Sequence, residues 1–209
     1  MSTILSSNGL KKPPQFLSKV YDYPGFDEAA LETIFQAHRG ITFSKDDFIS
    51  APGTIADGYF CLEKGLVRGF VSDFQHQERT IDFYSAGDIV MDVVSLFQRQ
   101  PSGICLQALT PAQAWYIAYP DFQHLYLNLP GFSEWGRNWM TGELLRLRQR
   151  SIAMVTLPAK DRYLDLQNNR PEILLEAPLK YIATYLGITD TSLSRLRKEL
   201  KEEKQGLIR

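Results

Sequence analysis

The feature that most constrains the fold is a change of rhythm near residue 118. From Ile41 to about Ile117 the chain runs in short stretches of β-branched and aromatic residues, cut by the turn signals APGT, EKGL, SDFQHQ, SAGD, QPSG and LTPA. After YPDFQHLYLNLP the spacing of apolar residues becomes helical and stays so. Many short antiparallel strands followed by helices make an α+β chain with a compact β barrel or sandwich ahead of a helical half. A short helix should precede the strands, because Ala30, Leu31, Ile34, Phe35 and Ala37 form a helical stripe within FDEAALETIFQAHRGITF. GYFCLEKGLVRGFV reads as a hairpin turning at Glu63, Lys64 and Gly65, and RTIDFYSAGDIV as two strands joined at Gly87.

The helical half opens with FSEWGRNWMTGELLRLRQRSIAMVTL. Met140, Leu144, Leu147, Ser151 and Met154 recur at alternating steps of four and three, an a/d seam of about two heptads. The seam suits a second copy better than the chain's own barrel, because it persists through a segment carrying Arg146, Arg148 and Arg150. Thr156, Leu157 and Pro158 break the helix, since proline is not tolerated in a helix interior. Trp135 and Trp139, one turn apart, suit a packed interface better than the wall of an effector cavity.

The end of the chain, PLKYIATYLGITDTSLSRLRKEL, contains two short helical patterns around a glycine. Leu179, Ile182, Ala183 and Leu186 share a face of the first, and Leu193, Leu196 and Leu200 a face of the second. A helix-turn-helix needs a small residue where its helices cross and a glycine where the backbone reverses, and Ala183 and Gly187 supply them. Ile188 plugs the turn, and Thr189 is placed to cap the second helix. The residues left to face DNA are Thr189, Thr191, Ser192, Ser194, Arg195 and Lys198, with Arg195 the first choice to grip a guanine edge. From Leu179 onward the chain carries a charge of +3 against −4 for the first 178 residues, so one copy should bind weakly and need a partner.

The totals fit. With 209 residues, 44% hydrophobic, the chain can bury a sizeable core in one large or two small domains. A net charge of −1 and a pI near 6.3 exclude coating of nucleic acid by bulk charge. Cys61 and Cys105 stand apart, which suggests neither a disulfide framework nor a thiolate cluster. His38, His76 and His124 lack metal-ligand spacing, and no nucleophile elbow or phosphate loop is present, so neither a metal site nor an enzyme is expected. Tyr59, Phe60, Phe70, Phe83 and Tyr84 read as core rather than as a stacking platform. MSTILSSNGLKKPPQF has no apolar run behind a basic start, and the expectation is a cytoplasmic protein without a membrane segment.

The order of parts resembles the Crp/Fnr family of bacterial transcription regulators, most specifically in IATYLGITDTSLSRLRK, and AKDRYLDLQNNRPEILLEAPLKYIATYLGITDTSLSR is similar to the subgroup common in Bacteroidetes. The resemblance implies an α+β fold. Residues 1–131 would be a cyclic-nucleotide-binding-like sensor domain, an antiparallel, jelly-roll-like β roll with flanking helices. Residues 132–157 would be a dimerisation helix and residues 158–209 a helix-turn-helix domain. It also implies a homodimer on double-stranded DNA at a roughly palindromic site, RNA polymerase as a further partner, and a small-molecule effector.

Two departures accompany the resemblance. The family's nucleotide cassette pairs Gly-Glu, for the ribose hydroxyl, with Arg-Ser, for the phosphate. Here Met91 and Asp92 fall at the first pair, and Ser102 and Gly103 at the second. Asp92 can still accept a hydroxyl, but neutral Ser102 cannot replace a guanidinium, and Arg99 lies three residues early. The expectation is an effector other than cAMP at Asp92, Ser102 and Gly103, or none. In the reading helix Thr191 stands where relatives with a well-known half-site carry glutamate, so the target should differ. Only KEEKQGLIR follows the motif, too little for a two-stranded wing. The other reading of the chain is a ligand-binding or protein-interaction module whose helix-turn-helix no longer reads DNA.

Overall fold

A computed structural model describes residues 3–5 and 15–206. Most of the N-terminal stretch read above as lacking a leader, and the last three residues of the tail, lie outside them. The elements in chain order are β1 (Thr3–Leu5), α1 (Gln15–Val20), α2 (Glu28–Gln36), β2 (His38–Phe43), β3 (Phe48–Ser50), β4 (Gly58–Lys64), β5 (Val67–Ser72), β6 (Glu78–Tyr84) and β7 (Ile89–Val90). They continue with α3 (Val93–Gln98), β8 (Cys105–Ala108), β9 (Ala112–Ala118), α4 (Tyr119–Asn128), α5 (Phe132–Thr156), α6 (Ala159–Asn169), α7 (Pro171–Glu176), α8 (Leu179–Tyr185) and α9 (Asp190–Gly206). The fold is α+β, an antiparallel β roll flanked and followed by helices.

The strands form two antiparallel sheets, ordered β1-β2-β9-β4-β7 and β3-β8-β5-β6. The first sheet is buried on both faces. Tyr59, Cys61, Trp115 and Ile117 point toward helices, in a cluster with Leu17, Tyr21, Phe122 and Phe132. Their neighbours Leu62, Ala112 and Ala114, with Val90 of β7, point into the roll, against Val67 and Leu106 of the facing sheet. This explains why GYFCLEK runs apolar instead of alternating.

The expected hairpin at Gly65 does not form, whereas β6 and β7 are two strands joined at Gly87, as expected. β4 pairs with β7 and β9, whereas β5 pairs with β6 and β8, so the chain changes sheets at Gly65. It changes back at Gly87, between β6 and β7. Gly65 has φ +100°, and a Cβ there would stand 2.7 Å from the Pro111 carbonyl oxygen, so the corner needs glycine both for its backbone and for the close approach to the start of β9. The true hairpin is β5–β6, closed through Asp73–Gln77, where the Asp73 carboxylate accepts from the Gln75 and Gln77 amides.

α5 runs for 25 residues and ends with Leu157 and Pro158 in extended backbone. Its first turns are sunk in the core at Phe132 and Trp135. Further on, Leu144 (67% exposed), Leu147 and Met154 of the a/d seam stay on the surface, beside Leu145, Ile152 and Val155 (86% exposed). No described helix is long and apolar enough to cross a membrane.

Candidate nucleic-acid interface and effector cavities

α8 and α9 are held as the local sequence dictates. α8 ends in a Schellman motif, in which the Ile188 amide donates to the Ala183 carbonyl (3.0 Å) and the Gly187 amide to the Thr184 carbonyl (3.1 Å). Gly187, at φ +68°, takes the left-handed position this motif requires. Thr189 caps α9 by accepting from the Ser192 amide at 3.2 Å. Ile182, Ala183, Leu186 and Leu193 are buried where the helices cross. Leu179, grouped with them in the sequence reading, is instead 40% exposed, because it opens α8 before the helix reaches the crossing.

Thr189, Thr191, Ser192, Ser194, Arg195 and Lys198 are all exposed, on the surface of α9 that the buried set leaves over. Arg195 has no hydrogen-bond or ion-pair partner among the described residues. Lys198 lies 3.8 Å from Glu202, a solvent-exposed pair that holds it weakly. The polar edge of α9 is thus free to meet an outside partner.

The nucleotide cassette is closed on itself. Asp92 caps α3 by accepting from the Ser95 amide (3.1 Å), and its other oxygen accepts from the Ser102 hydroxyl at 2.5 Å. Ser102 also accepts from the Ile104 amide, and both Asp92 and Ser102 are buried. Gly103 has open space where a Cβ would be and contributes no side-chain contact. Arg99 sits in left-handed backbone, donates to the Ala56 carbonyl at 2.5 Å, and lies with its guanidinium 4.1 Å from the centre of the Tyr119 ring. The nearby cavity of about 230 Å³ is lined by residues including Thr54, Asp57, Met91 and Asp92, with two carboxylates and no cation. At the position where the resemblance places a phosphate-binding guanidinium stands neutral Ser102, its hydroxyl committed to Asp92.

Residues 41–128 match the cyclic nucleotide-binding domain family. Solved structures extend the likeness to the helices. FixK2 from Bradyrhizobium japonicum has a TM-score of 0.71 at 15% identity, over 80% of this chain and 86% of that one. A transcriptional regulator of the Crp/Fnr family from Eubacterium rectale scores 0.68 at 12% identity, over 91% and 89%. The c-di-GMP responsive global regulator CLP of Xanthomonas campestris scores 0.67 at 16%, over 85% and 93%. At such identities the likeness is one of fold, and it is the fold of Crp/Fnr regulators. No curated protein matches the chain by sequence.

A second, larger cavity of about 400 Å³ opens between the roll and the helices, lined among others by Tyr59, Phe97, Phe122, Trp135 and Trp139. Trp135 both lines it and packs: its indole donates to the Val20 carbonyl at 3.2 Å, and its ring lies 4.5 Å from that of Tyr21. Behind this wall is a buried polar chain. The His38 Nδ1 lies 2.7 Å from the Ile34 carbonyl and must donate to it, so its Nε2 accepts from the Tyr21 hydroxyl (2.9 Å), which accepts in turn from Tyr59 (2.7 Å). Burial lowers the pKa of His38 to about 4 and pushes the Cys61 thiol up to about 12, so both are neutral at ordinary pH. Among the described residues no cluster of His, Cys, Asp and Glu could hold a metal ion.

The sequence reading missed how the domain grips the helices behind it. Arg68, an apparent interruption in an apolar strand, is buried, bonded to Gln107 (2.7 Å) and Glu78 (2.6 Å), and sandwiched between Phe70 and Tyr181 of α8. The Thr80 amide donates to the Thr184 hydroxyl (3.2 Å), and the rings of Phe83 and Tyr185 meet edge to face. Arg170 bonds Asp88 (2.6 Å) and Ser85 (2.9 Å), while Arg146 of α5 forms a fork with Asp82 (2.6 and 3.0 Å). Burial works against the charge of Arg146, but its bonds to Asp82 and Glu143 outweigh this and raise its pKa further. The one available signal was an arginine and an aspartate, Arg68 and Asp82, at strand positions where the pattern calls for apolar residues.

Proposed function

We propose that the protein is a cytoplasmic, homodimeric, DNA-binding transcriptional regulator. The observation that carries this reading is the free polar edge of α9, with Arg195 unpaired, on a glycine-turned helix pair with a buried crossing. Thr189, Thr191, Ser192 and Ser194 bring the backbone close to the duplex, Arg195 grips a guanine, and Lys198 meets phosphate. The exposed apolar stripe of α5 supports dimerisation, because surface leucines in such number on one helix need cover. Two copies place their α9 helices one duplex turn, ~34 Å, apart on a near-palindromic site. RNA polymerase is the further partner expected of such a regulator. Its effector is not cAMP, since Asp92 and Ser102 satisfy each other and leave no guanidinium for a phosphate. The aromatic cavity beside Trp135 and Trp139 is the better-shaped place for a small apolar effector.

Selection of bound duplexes from a random pool, with and without cell extract, tests this. A palindromic consensus is the expected result, and a requirement for extract identifies gating. Arg195→Ala should weaken the selected site by ~1–3 kcal/mol and relax one base position. Binding indifferent to both Arg195→Ala and added salt would mean that the chain is an interaction module, not a reader of DNA.

A further inference from the structure

A cleft of about 420 Å³ lies where α5, α6 and the end of α8 converge, on both sides of the break at Pro158. Four arginines line it, Arg146, Arg150, Arg162 and Arg170, against a single carboxylate, Asp165. Arg146 and Arg170 are neutralised from outside the cleft, by Asp82 and Glu143 and by Asp88 and Glu172. Arg150 and Arg162 have no carboxylate partner among the described residues. Arg150 donates to the Tyr185 carbonyl (3.1 Å) and stacks on the Tyr185 ring, 4.2 Å from its centre. Arg162 donates to the Leu157 and Leu186 carbonyls, and its Nε is buried with no acceptor at all. Asp165 neutralises neither: its carboxylate accepts from Asn169 and lies within 4 Å of no described guanidinium.

Two unneutralised guanidinia, one of them with an unsatisfied buried N–H, line a concavity with apolar walls at Ala153, Met154 and Leu166, a polar site that lacks its counter-charge among the described residues. We propose that this cleft binds a small anion carrying at least two negative charges, a phosphorylated metabolite in chemical class, gripped by Arg150 and Arg162. A concavity of this volume suits a small molecule better than a duplex backbone, which is met by convex or open surfaces. Besides the Leu157 carbonyl, these arginines hold those of Tyr185 and Leu186, the last residues before the turn at Gly187. An anion that draws the guanidinia toward itself therefore loosens the end of α8, and with it the setting of α9. The inference does not depend on α9 reading DNA.

The test uses the full chain and inorganic pyrophosphate as the probe, by isothermal titration calorimetry at constant ionic strength. One site per chain is expected, weakened at least tenfold by Arg150→Gln and by Arg162→Gln, and unchanged in Arg148→Gln, whose side chain is exposed and outside the cleft. Each variant is first shown to be folded by circular dichroism. Should Arg162→Gln unfold, Arg150→Gln decides. The site is overturned if pyrophosphate shows no saturable binding up to millimolar concentration, or if both cleft variants bind it like the parent. It is overturned equally if the cleft variants lower duplex affinity while pyrophosphate does not bind, which would assign the arginines to the DNA backbone. Pyrophosphate binding without any selected duplex would leave this site standing and remove the reading of DNA.

Discussion

His38 is buried in neutral form, with Nδ1 committed to the Ile34 carbonyl and Nε2 to Tyr21. Unfolded, it takes a proton near pH 6.5; folded, burial holds its pKa to about 4. The unfolded chain therefore binds more protons between those values, and stability present above pH 6.5 is lost as the pH falls toward 4, by roughly 3 kcal/mol at most. Replacing His38 with Gln should lower stability at pH 7 yet flatten that part of the profile, as read from urea midpoints across pH 4–7. Gly187 makes a second residue-scale prediction. A Cβ there would stand 2.6 Å from the Met154 Cε and demand φ +68° of an L-residue, so Gly187→Ala should cost at least ~1–2 kcal/mol, seen in the urea midpoint. Met154→Ala in the same chain should recover the steric part and leave the backbone part. Gly187, Ala183 and Thr189 were legible in the sequence because caps, turns and crossings are settled within about ten residues. Leu179 and Arg68 were not, because their surroundings come from elsewhere in the chain.

At the scale of elements, the β rhythm from Ile41 to Ile117 predicted strands, and strands are there, but not their partners. A turn sequence such as EKGL specifies a change of direction; it does not specify the sheet in which the chain resumes. That depends on Gly65 passing against the Pro111 carbonyl, 46 residues downstream in sequence and invisible to local pattern. The helix α5 was read closely, because its period is internal to it. Its uncovered stripe yields a prediction: Leu147→Asp should turn a dimer into a monomer in sedimentation equilibrium with the helical circular dichroism unchanged, and should abolish binding to a palindrome while sparing the fold. Leu147 is already 47% exposed in the single chain, so Asp there gives up only part of a buried leucine's contacts.

Across the whole molecule, the roll and the terminal helices are fastened by charge as much as by apolar contact. Arg170 reaches Asp88, Ser85 and Glu172 from the junction of α6 and α7, and burial raises the Asp88 pKa, an effect that guanidinium counters only in part. Arg170→Ala should cost about 1–3 kcal/mol and speed limited proteolysis near Leu157–Ala159, read by the rate of fragment appearance. Such long-range fastenings escape a sequence reading because each half looks like an ordinary surface charge until the domains meet. One of them is not ionic. Met154 leaves the apolar stripe of α5 to rest its methyl on the glycine of the turn, like a pawl on a ratchet tooth. Advancing α5 by one residue would swing Met154 through 100° and lift it off that tooth. The turn that leads into α9 is thereby indexed to the rotation of α5 about its own axis, so a twist of α5 would act on it directly.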